Sequence, residues 1–373
     1  MTVEQLTIGL IRRGFSASGG AESYLKRLAR GVVERGHAVH LFTSGDWPPD
    51  EWPFGTVTSV PSRSPRDFAD QVAKIQPRSR CDVVLSLERV WRCDVYRAGD
   101  GVHQRWLRRR AKFATPWQRV AHSFNRKHRD ILRLEASLFA AAGATRVIAN
   151  SEMVKREITQ SYGYPAESID VVRNGVPLDT FRPSPELRDR HRTALGIERD
   201  ETVLLFVGSG WERKGLRFAI EAVEASDDPW LRLLVAGHGR ESYSRSAKVR
   251  FRGAVTDLAA LYSAADIFIL PTLYDPFSNA CLEAMASGLP VITTSANGFA
   301  EIVDQNVHGT IVDPAGDMPA LQKAIRYWSN AERRASARPT ILQRAGGFDI
   351  SRNVEETLRI LLQASASAAS TSG

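Results

Sequence analysis

Short apolar runs alternate with amphipathic segments of helix length along almost the whole chain. This alternation is typical of parallel sheets that are covered by helices. An apolar repeat at helical spacing predicts the first helix over Glu22–Arg35. In the first half the predicted strands are Leu6–Ile11, Ala38–Thr43, Val83–Leu87, Arg146–Ala149 and Ile169–Val172. In the second half they are Val203–Val207, Leu231–Ala236, Val249–Arg252, Ile267–Leu270, Val291–Thr293 and Thr310–Val312.

A break between the halves falls at residues 173–184, where turn formers cluster without an apolar period. The length of 373 residues also exceeds the roughly 250–300 residues that one hydrophobic core supports. The final segment contains only small and hydroxyl residues after Gln363, which predicts a disordered tail. The predicted parts are a first domain over 1–173, a hinge over 174–184, a second domain over 185–345, a helix over 346–362 that crosses back to the first domain, and the tail over 363–373.

The predicted fold class is α/β, with two doubly wound, Rossmann-like domains that face each other across a cleft. Open sheets of this kind bind ligands beyond the carboxyl ends of their strands. The strand-to-helix loops of both domains are therefore the places to look for a functional site.

Composition narrows the class of protein. Hydrophobic residues make up 43% and charged residues 25%, which excludes a wholly disordered or fibrous chain. Three scattered cysteines argue against a disulfide framework or a structural zinc site. The start of the sequence lacks the pattern of a signal peptide, and no apolar run reaches the roughly 20 residues of a membrane span. We expect a cytoplasmic protein.

The charge is unevenly placed. Residues 1–175 carry 28 Lys and Arg against 18 Asp and Glu, whereas residues 176–373 carry 22 against 24. A basic half joined to a near-neutral half indicates that the first half meets something anionic. Nucleic acid, a phosphorylated substrate and an acidic membrane surface all fit this description.

The loop after the first predicted strand is rich in glycine. Gly19 and Gly20 directly precede a helix, where unpaired amides and the helix dipole can hold a phosphate. Glycine allows the close approach that a Cβ would block. The loop is not a G-x-G-x-x-G motif, which disfavours a nicotinamide cofactor. A plain turn is the alternative interpretation.

A second loop, Phe206–Gly215, follows a strand of the second half. It contains Gly208 and the adjacent bases Arg213 and Lys214. Their charges are suited to a diphosphate that gains negative charge as a bond to it breaks. A solvated pair of bases is the alternative.

A third segment, Tyr274–Gly288, combines a helix start with two carboxylates. Ser278, Asn279 and Ala280 can present free amides to a phosphate. Asp275 and Glu283 lie two helical turns apart, so both carboxylates approach one face, where they can accept sugar hydroxyls. Helix capping by Asp275 and a surface position for Glu283 are the alternatives.

Taken together, these residues resemble a retaining family-4 glycosyltransferase with the two-domain GT-B fold. The matching motifs are the Gly-Gly loop with Glu22, Asn174–Phe181, Gly208 with Arg213–Gly215, Leu258 with Tyr262 and Ala265–Asp266, Asp275 with Glu283, and Glu283–Val291. Within that family the chain most resembles the bacterial lipopolysaccharide inner-core glucosyltransferases. This closer likeness depends on Asp94–Asp100 and on the basic aromatic segment that follows it.

The resemblance implies that a nucleotide sugar, commonly UDP-glucose, is the donor substrate and binds mainly to the second domain, over 185–345. It implies that the first domain, over 1–173, binds the acceptor. It implies catalytic roles for Asp100, Arg213, Lys214 and Asp275. It implies donor-binding roles for Gly19, Gly20, Gly208, Arg213, Lys214, Phe277, Ser278, Asn279, Ala280 and Glu283. Asp275 stands where the family usually has glutamate, so its carboxylate reaches roughly 1.5 Å less far.

The chemistry implied by the resemblance is transfer of a hexose, such as glucose, with retention of the anomeric configuration. The departing phosphate itself helps to deprotonate the acceptor hydroxyl. We expect neither a metal nor a cofactor, because the sequence contains no Asp-x-Asp pair. The expected acceptor is an anionic, membrane-associated saccharide or glycolipid.

Residues 101–129 form a basic aromatic segment with nine Lys and Arg and no acid. Helical spacing from Trp117, with Thr115 as the N-cap, predicts a helix there. Such a segment favours peripheral binding to an anionic membrane surface, here the inner face of the cytoplasmic membrane. Packing of the apolar stripe on the first sheet is the alternative; the stripe is Trp117, Val120, Phe124 and Ile131.

Four further residues of the first half are candidates for chemistry. Arg12, Arg13 and Arg97 are positioned to meet phosphates on the acceptor. His103 is a possible proton carrier beside Asp100.

Other functions stay open at this stage. A different family-4 enzyme would use GDP-mannose or UDP-N-acetylhexosamine for capsule or glycolipid synthesis. A nucleic-acid-binding module would explain the basic segment but would leave the phosphate loops without a purpose. A sugar-phosphate epimerase or a phosphorylase-like enzyme would keep the fold and change the reaction.

Overall fold

The apolar runs form two parallel sheets in the computed structural model, which describes residues 5–14, 20–45, 47–113, 125–239 and 246–371. The chain divides into two units. The first unit combines Met1–Arg173 with Ser351–Gly373, and the second is the continuous segment Asn174–Ile350.

The sheet of the first unit has seven parallel strands in the order β3-β2-β1-β4-β5-β6-β7. The order reverses between β1 and β4, which is the arrangement of a doubly wound sheet. The strands are β1 Thr7–Ile11, β2 Ala38–Thr43, β3 Thr56–Ser59, β4 Val83–Ser86, β5 Cys93–Arg97, β6 Ala144–Ala149 and β7 Ile169–Val171. The helices are α1 Gly20–Val33, α2 Pro65–Ile75, α3 His103–Ala111, α4 Arg126–Leu138 and α5 Glu152–Tyr162, together with a last helix described below.

The sheet of the second unit has six parallel strands in the order β10-β9-β8-β11-β12-β13. The order reverses between β8 and β11. The strands are β8 Thr202–Val207, β9 Leu231–Ala236, β10 Val249–Phe251, β11 Ile267–Leu270, β12 Val291–Thr294 and β13 Gly309–Val312. The helices are α6 Pro185–Ala194, α7 Trp211–Lys214, α8 Leu216–Glu224, α9 Leu258–Ala264, α10 Asn279–Ala286, α11 Met318–Ser329 and α12 Ala331–Gly346. The predicted class of two doubly wound α/β domains is therefore confirmed.

Local sequence explains the sharp boundaries of several helices. Ser64, Ser151 and Ser184 each precede a helix and accept a hydrogen bond from the amide three residues later. This N-cap bond satisfies an amide that has no acceptor within the helix. The core strands β4, β11 and β12 are buried along their whole length, as parallel strands covered on both faces must be.

Two strands of the first sheet were absent from the sequence prediction. Strand β3 is a short edge strand with mostly exposed side chains, so it shows no apolar run. Strand β5 carries Asp94 and Arg97 among its five residues, and these charges interrupt the apolar pattern. The other strands lie at their predicted places along the chain, and their ends differ from the predicted ones by at most two residues.

The prediction of a disordered tail over 363–373 is wrong within the described residues. The last helix, α13, runs from Ile350 to Thr371, nine residues beyond the predicted end at 362. Ala364 in this stretch is buried, and Ser365 donates a hydrogen bond to the carbonyl of Asp82 at 3.3 Å. Packing and the high helix propensity of alanine therefore keep the segment helical.

Helix α13 contacts elements of the first unit. A Cβ at Gly31 of α1 would lie 2.7 Å from Cγ1 of Val354, so α1 and α13 cross closely at this glycine. The side chain of Asn353 donates to the carbonyl of Arg173 at 2.6 Å. No helix in the described ranges has the length and apolar character that crossing a membrane requires.

Candidate active site

The motifs of the second unit meet where its strand order reverses. Strands β8 and β11 are neighbours in the sheet, although about 60 residues separate them in sequence. The loop after β8 leads into α7 and α8, and the loop after β11 leads into α10. The point of reversal is where doubly wound sheets bind their ligands.

Glycine is required between α7 and α8. Gly215 has a φ of 74°, and a Cβ on it would lie 1.9 Å from the carbonyl oxygen of Pro271. The turn therefore touches the end of β11 through bare backbone. Gly208, at the start of the loop, has a φ of 153° and lies beneath the aliphatic part of Lys214.

Backbone contacts fix the two adjacent bases against the next loop. The carbonyl of Arg213 accepts hydrogen bonds from the amide of Leu273 and the hydroxyl of Thr272, both at 2.8 Å. The Lys214 ammonium contacts the Asp275 carboxylate in a largely buried ion pair. The Arg213 guanidinium, in contrast, is half-buried and makes no ion pair or hydrogen bond with any described residue.

Asp275 is held rigidly at the edge of the sheet. Its amide donates to the carbonyl of Ala296 at 3.0 Å, and its own carbonyl accepts from the amide of Gly298 at 2.9 Å. Only 4% of the residue is exposed. The carboxylate is therefore available to Lys214 in a defined geometry, rather than acting as a helix cap.

The start of α10 differs in one respect from the prediction of three free amides. Ser278 is the N-cap, and its hydroxyl accepts from the amide of Cys281 at 3.4 Å. The Ser278 amide already donates to the side chain of Asn297 at 3.2 Å, so this amide is not free for a phosphate. Asn279 and Ala280 are the first two residues of the helix, and the phosphate contacts predicted for their amides stay a prediction.

The remaining predicted residues of this loop are buried. Glu283 is 7% exposed, and its carboxylate accepts a hydrogen bond from the hydroxyl of Tyr262 at 3.1 Å. The ring of Phe277 packs edge-on against Phe299, with centroids 5.8 Å apart. Phe277 is thus a packing residue as well as part of the loop backbone.

Asn174 links the predicted hinge to this loop. Its side-chain amide donates to the carbonyl of Phe277 at 3.1 Å and to the side chain of Asn279 at 2.6 Å. A residue at the boundary of the second unit therefore supports the turn that opens α10.

The first unit also places charged residues where its strand order reverses. Arg12, after β1, pairs with Glu88, after β4, at 2.7 Å and with Glu22 of α1 at 3.1 Å. Burial by itself lowers the pKa of Arg12, but Glu88, Asp100 and Glu22 together raise it, so the guanidinium stays charged and is balanced by carboxylates. Arg12 is therefore less suited to an acceptor phosphate than the sequence indicated.

The other two predicted arginines have different surroundings. The Arg97 guanidinium is buried and lies over the ring of Tyr24, 4.1 Å from the centroid, and burial lowers its pKa. Arg13 is half-buried and has no ion pair or hydrogen bond among the described residues. Arg13 thus retains the predicted potential to bind an anion, and the anion contact of Arg97 stays a prediction.

Asp100 follows β5 at the same edge of the first sheet. Its side chain is 54% exposed, and its carboxylate lies 3.7 Å from Nη1 of Arg89.

Gly20 is the first residue of α1. Gly19 lies outside the described residues, so its predicted phosphate contact stays a prediction.

His103 is not suited to carry a proton at neutral pH. Burial, followed by the charges of Arg89 and His128, lowers its pKa to about 3. Its Nε2 atom is also hydrogen-bonded to Nδ1 of His128 at 3.0 Å. The ring is therefore neutral and already engaged.

The basic aromatic segment is described on both sides of 114–124. The predicted cap Thr115 and the apolar residues Trp117, Val120 and Phe124 lie outside the described residues. Two bases bind α5: Arg105 donates to Ser161 at 3.0 Å, and Arg109 pairs with Glu157 at 3.1 Å. The exposed bases of α3, of the residue that caps its C-terminus and of α4, which we call the basic surface, are Arg108, Lys112, Arg126, Lys127, Arg129 and Arg133.

Comparison with known families decides between the interpretations of this geometry. The profile of the family described as Glycosyltransferase Family 4 matches residues 18–180, and that of Glycosyl transferases group 1 matches residues 201–330. The chain belongs to the GT-B glycosyltransferases of family 4. The first match includes Glu88 and Asp100, and the second includes the Lys214–Asp275 pair.

Curated relatives of this glycosyltransferase match in part of their length. An uncharacterized glycosyltransferase of Methanocaldococcus jannaschii is 32% identical over 183 residues, which is 45% of this chain and 47% of the relative. A D-inositol 3-phosphate glycosyltransferase of Mycobacterium bovis is 34% identical over 185 residues, or 45% of this chain and 38% of the relative. The chain thus spans less than half the length of these relatives.

Solved structures match the glycosyltransferase over nearly its whole length. WaaG, a glycosyltransferase involved in lipopolysaccharide biosynthesis, aligns with a TM-score of 0.82 and 21% identity, covering 95% of this chain and 99% of WaaG. HepE of Anabaena, solved with UDP and glucose, aligns with a TM-score of 0.74 and 20% identity, covering 96% and 100%. At these identities the likeness shows the GT-B fold.

Several residues that shape the site of the glycosyltransferase were missed from sequence. Arg89 and Glu135 hold the Asp100 loop, and Asn297 supports the start of α10. A polar residue after a buried strand, as Asn297 is after β12, was the available signal. Glu135 lies within a helix, so nothing in the local pattern separated it from a surface glutamate. No three His, Cys, Asp or Glu side chains of the described residues cluster as a metal site would require.

Proposed function

We propose that this protein transfers a hexose, glucose, from UDP-glucose to a membrane-associated saccharide such as the inner core of lipopolysaccharide. The anomeric configuration is retained. The contact between Lys214 and Asp275 carries the proposal, because it joins the two predicted donor motifs at the point where the strand order of the second unit reverses. The UDP complexes of HepE, a protein of the same fold, support a UDP-linked donor.

The donor site is built around charge. In the proposed complex Arg213 and Lys214 neutralise the diphosphate as the bond to the sugar breaks, and this kind of preorganised stabilisation is a large term in catalysis. The amides of Asn279 and Ala280 are assigned to the phosphates at the start of α10, and Gly19 and Gly20 are assigned to the same diphosphate. Glu283, oriented by Tyr262, accepts the ribose hydroxyls.

The Asp275 position adapts this site. Aspartate is one methylene shorter than the family's usual glutamate, and here its carboxylate is held by Lys214. We assign Asp275 the role of orienting the Lys214 ammonium toward the diphosphate. The carboxylate oxygen that does not contact Lys214, Oδ1, is assigned to the donor sugar. Asp100 is assigned to the donor sugar.

The bases make a resident metal unnecessary in this proposal. Two cations supply the positive charge that a divalent ion supplies elsewhere. The departing phosphate accepts the proton of the acceptor hydroxyl, so no covalent nucleophile of the protein is assigned.

The acceptor is proposed to be anionic and held near a membrane. Arg13 and Arg97 are the residues of the first unit assigned to its phosphates, since Arg12 is balanced by Glu22 and Glu88. The basic surface, Arg108, Lys112, Arg126, Lys127, Arg129 and Arg133, is assigned to anionic lipid at the inner face of the cytoplasmic membrane.

Thermal unfolding in the presence of UDP-, GDP- and ADP-linked sugars tests the donor. A ligand that binds only the folded state raises the free energy of unfolding, by about 2.7 kcal/mol at a hundredfold excess over Kd. The melting temperature rises accordingly. We expect the largest rise with UDP-glucose, and loss of most of that rise in Glu283→Gln. A larger rise with GDP-mannose or UDP-N-acetylhexosamine would replace the proposed donor, and no rise with any nucleotide sugar would contradict the proposed function.

A further inference from the structure

Glu135 is a buried acid that the proposed chemistry does not use. The residue is 0% exposed within α4. Its Oε1 atom accepts hydrogen bonds from Nε of Arg89 at 2.9 Å and from the amide of His103 at 2.7 Å. Its Oε2 atom accepts from the hydroxyl of Tyr162 at 2.8 Å. The carboxylate is thus fully engaged, as a buried charge must be.

Arg89 turns its other nitrogens toward the Asp100 loop, residues 98–103. Nη2, which also pairs with Oε1 of Glu135 at 2.8 Å, donates to the carbonyl of Gly101 at 2.8 Å. Nη1 lies 3.7 Å from the Asp100 carboxylate. Only 11% of the Arg89 side chain is exposed. Because the guanidinium is a planar fork, anchoring one edge on Glu135 fixes the directions of the remaining donors.

The loop between these contacts is also joined to the sheet by its backbone, because the amide of Ala98 donates to the carbonyl of Ile148 at 2.8 Å. Gly101 adopts a φ of 67°, and its amide donates to the carbonyl of Ala98 in a tight turn. The side chain of Asn150 reaches the carbonyl of Gly99 at 3.4 Å. Arg89 and Glu135 therefore hold the loop on both sides of Asp100, at the carbonyl of Gly101 and at the amide of His103.

We infer that Arg89 and Glu135 are positioning residues that hold the Asp100 carboxylate in place for sugar transfer. The inference rests on the proposed function for the role of Asp100. The burial of the pair is weak evidence for a role in stability, because replacing a buried ion pair with well-packed apolar residues is often neutral or stabilising. The pair instead fixes the position of the Asp100 loop. Through Arg89, Glu135 and Tyr162, it connects this loop to the loop after β4, to α4 and to α5.

A double-variant experiment on the full-length protein tests this role. The rate of UDP release from UDP-glucose is measured in Glu135→Gln, in Asp100→Asn and in the combined variant. We expect Glu135→Gln to lower kcat about 30-fold, within the range that misplacement by about 1 Å produces. In the Asp100→Asn background the same change should lower kcat less than about threefold, because the residue it positions is already disabled.

Glu201→Gln is the matched control. Glu201 is also a buried glutamate held by arginines, with Arg232 at 2.6 Å and Arg250 at 3.0 Å, but it precedes β8 at the opposite end of the strand from the site. We expect a comparable fall in melting temperature and a change in kcat below twofold. If Glu135→Gln does not fold, Arg89→Lys, which keeps the charge and loses the fork, takes its place.

Hydrogen exchange supplies a readout that does not depend on activity. In Glu135→Gln the amides of residues 98–103 should exchange at least tenfold faster, whereas in Glu201→Gln their rates should not change. Unchanged exchange, or equal losses of kcat in both Asp100 backgrounds, would overturn the inference. If the unaltered protein releases no nucleoside diphosphate from any nucleotide sugar, the proposed function fails, and the exchange rates still decide whether the pair positions the loop.

Discussion

Arg213 and Lys214 are neighbours in sequence but have different surroundings. Lys214 neutralises a buried carboxylate, so its removal leaves Asp275 without this partner and costs stability as well as activity. Arg213 has no ion pair or hydrogen bond among the described residues, and its side chain is free to serve a ligand. Arg213 is therefore the cleaner probe of the proposed diphosphate contact.

We expect Arg213→Ala to lower kcat about 100-fold, as does removal of a single donor from a preorganised site. The free energy of unfolding should change by less than about 0.5 kcal/mol, because no described contact of the guanidinium is lost. Steady-state kinetics and urea unfolding measure the two effects. Arg217→Ala, an exposed arginine that lies over Phe218, is the control and should retain near-normal kcat. Equal activity in the two variants would contradict the role of Arg213.

The buried neutral state of His103 predicts a dependence of stability on pH. Its pKa is about 3 in the folded protein against 6.5 as the ordinary value, so the unfolded chain binds the extra proton as pH falls. Stability present above pH 6.5 is thus lost progressively between pH 6.5 and 3, by at most about 1.4 kcal/mol per pH unit. His103→Gln should show a shallower fall in urea-derived stability between pH 6.5 and 4. Identical slopes in both proteins would contradict this account.

At the scale of elements, the sequence predicted most of what places the donor site. Buried apolar runs located β8 and β11, and the rule for doubly wound sheets placed their loops together. The sequence did not predict individual hydrogen bonds and ion pairs. Examples are the hydrogen bond from the Ser278 amide to Asn297 and the ion pairs of Arg12 with Glu22 and Glu88. Such pairings depend on side chains that meet only after folding, so no local pattern marks them.

The close crossing of α1 and α13 gives a prediction for packing. Gly31→Leu should destabilise the protein by about 1–3 kcal/mol, because a Cβ there already lies 2.7 Å from Val354. Urea unfolding measures the change, and adding Val354→Ala should recover part of it. Gly346→Leu is the control, since that helical glycine has open space around it and should change stability little. A neutral effect of Gly31→Leu would show that α1 and α13 do not pack as described.

On the scale of the whole molecule, charge is segregated between the parts of the chain. Residues 1–175 hold the excess of bases, and the basic surface exposes six of them on α3, its C-terminal cap and α4. Arg105 and Arg109 are engaged with α5 and contribute less to this surface. This uneven distribution of charge in the sequence predicts an anionic partner such as a membrane surface, but it does not show which bases are exposed to solvent.

Flotation with vesicles containing anionic lipid tests the proposed membrane contact. Each base near such a surface contributes about 1 kcal/mol, so Arg108→Glu with Lys112→Glu should weaken binding by about 30-fold or more. The matched control reverses Arg190 and Arg199, two exposed bases of the second unit, and should bind like the unaltered protein. Binding to neutral and acidic vesicles alike, or equal effects of the two reversals, would contradict the assignment of the basic surface.

The membership of α13 in the first unit has a consequence for biosynthesis. The second unit, Asn174–Ile350, is one continuous stretch, whereas the first is interrupted and regains its last helix only with Ser351–Gly373. Domains generally fold as units while the ribosome adds residues. The unit whose synthesis starts first is therefore completed last. Until α13 has been made, the surface of α1 around Gly31 lacks this packing partner and is exposed to solvent or to a chaperone.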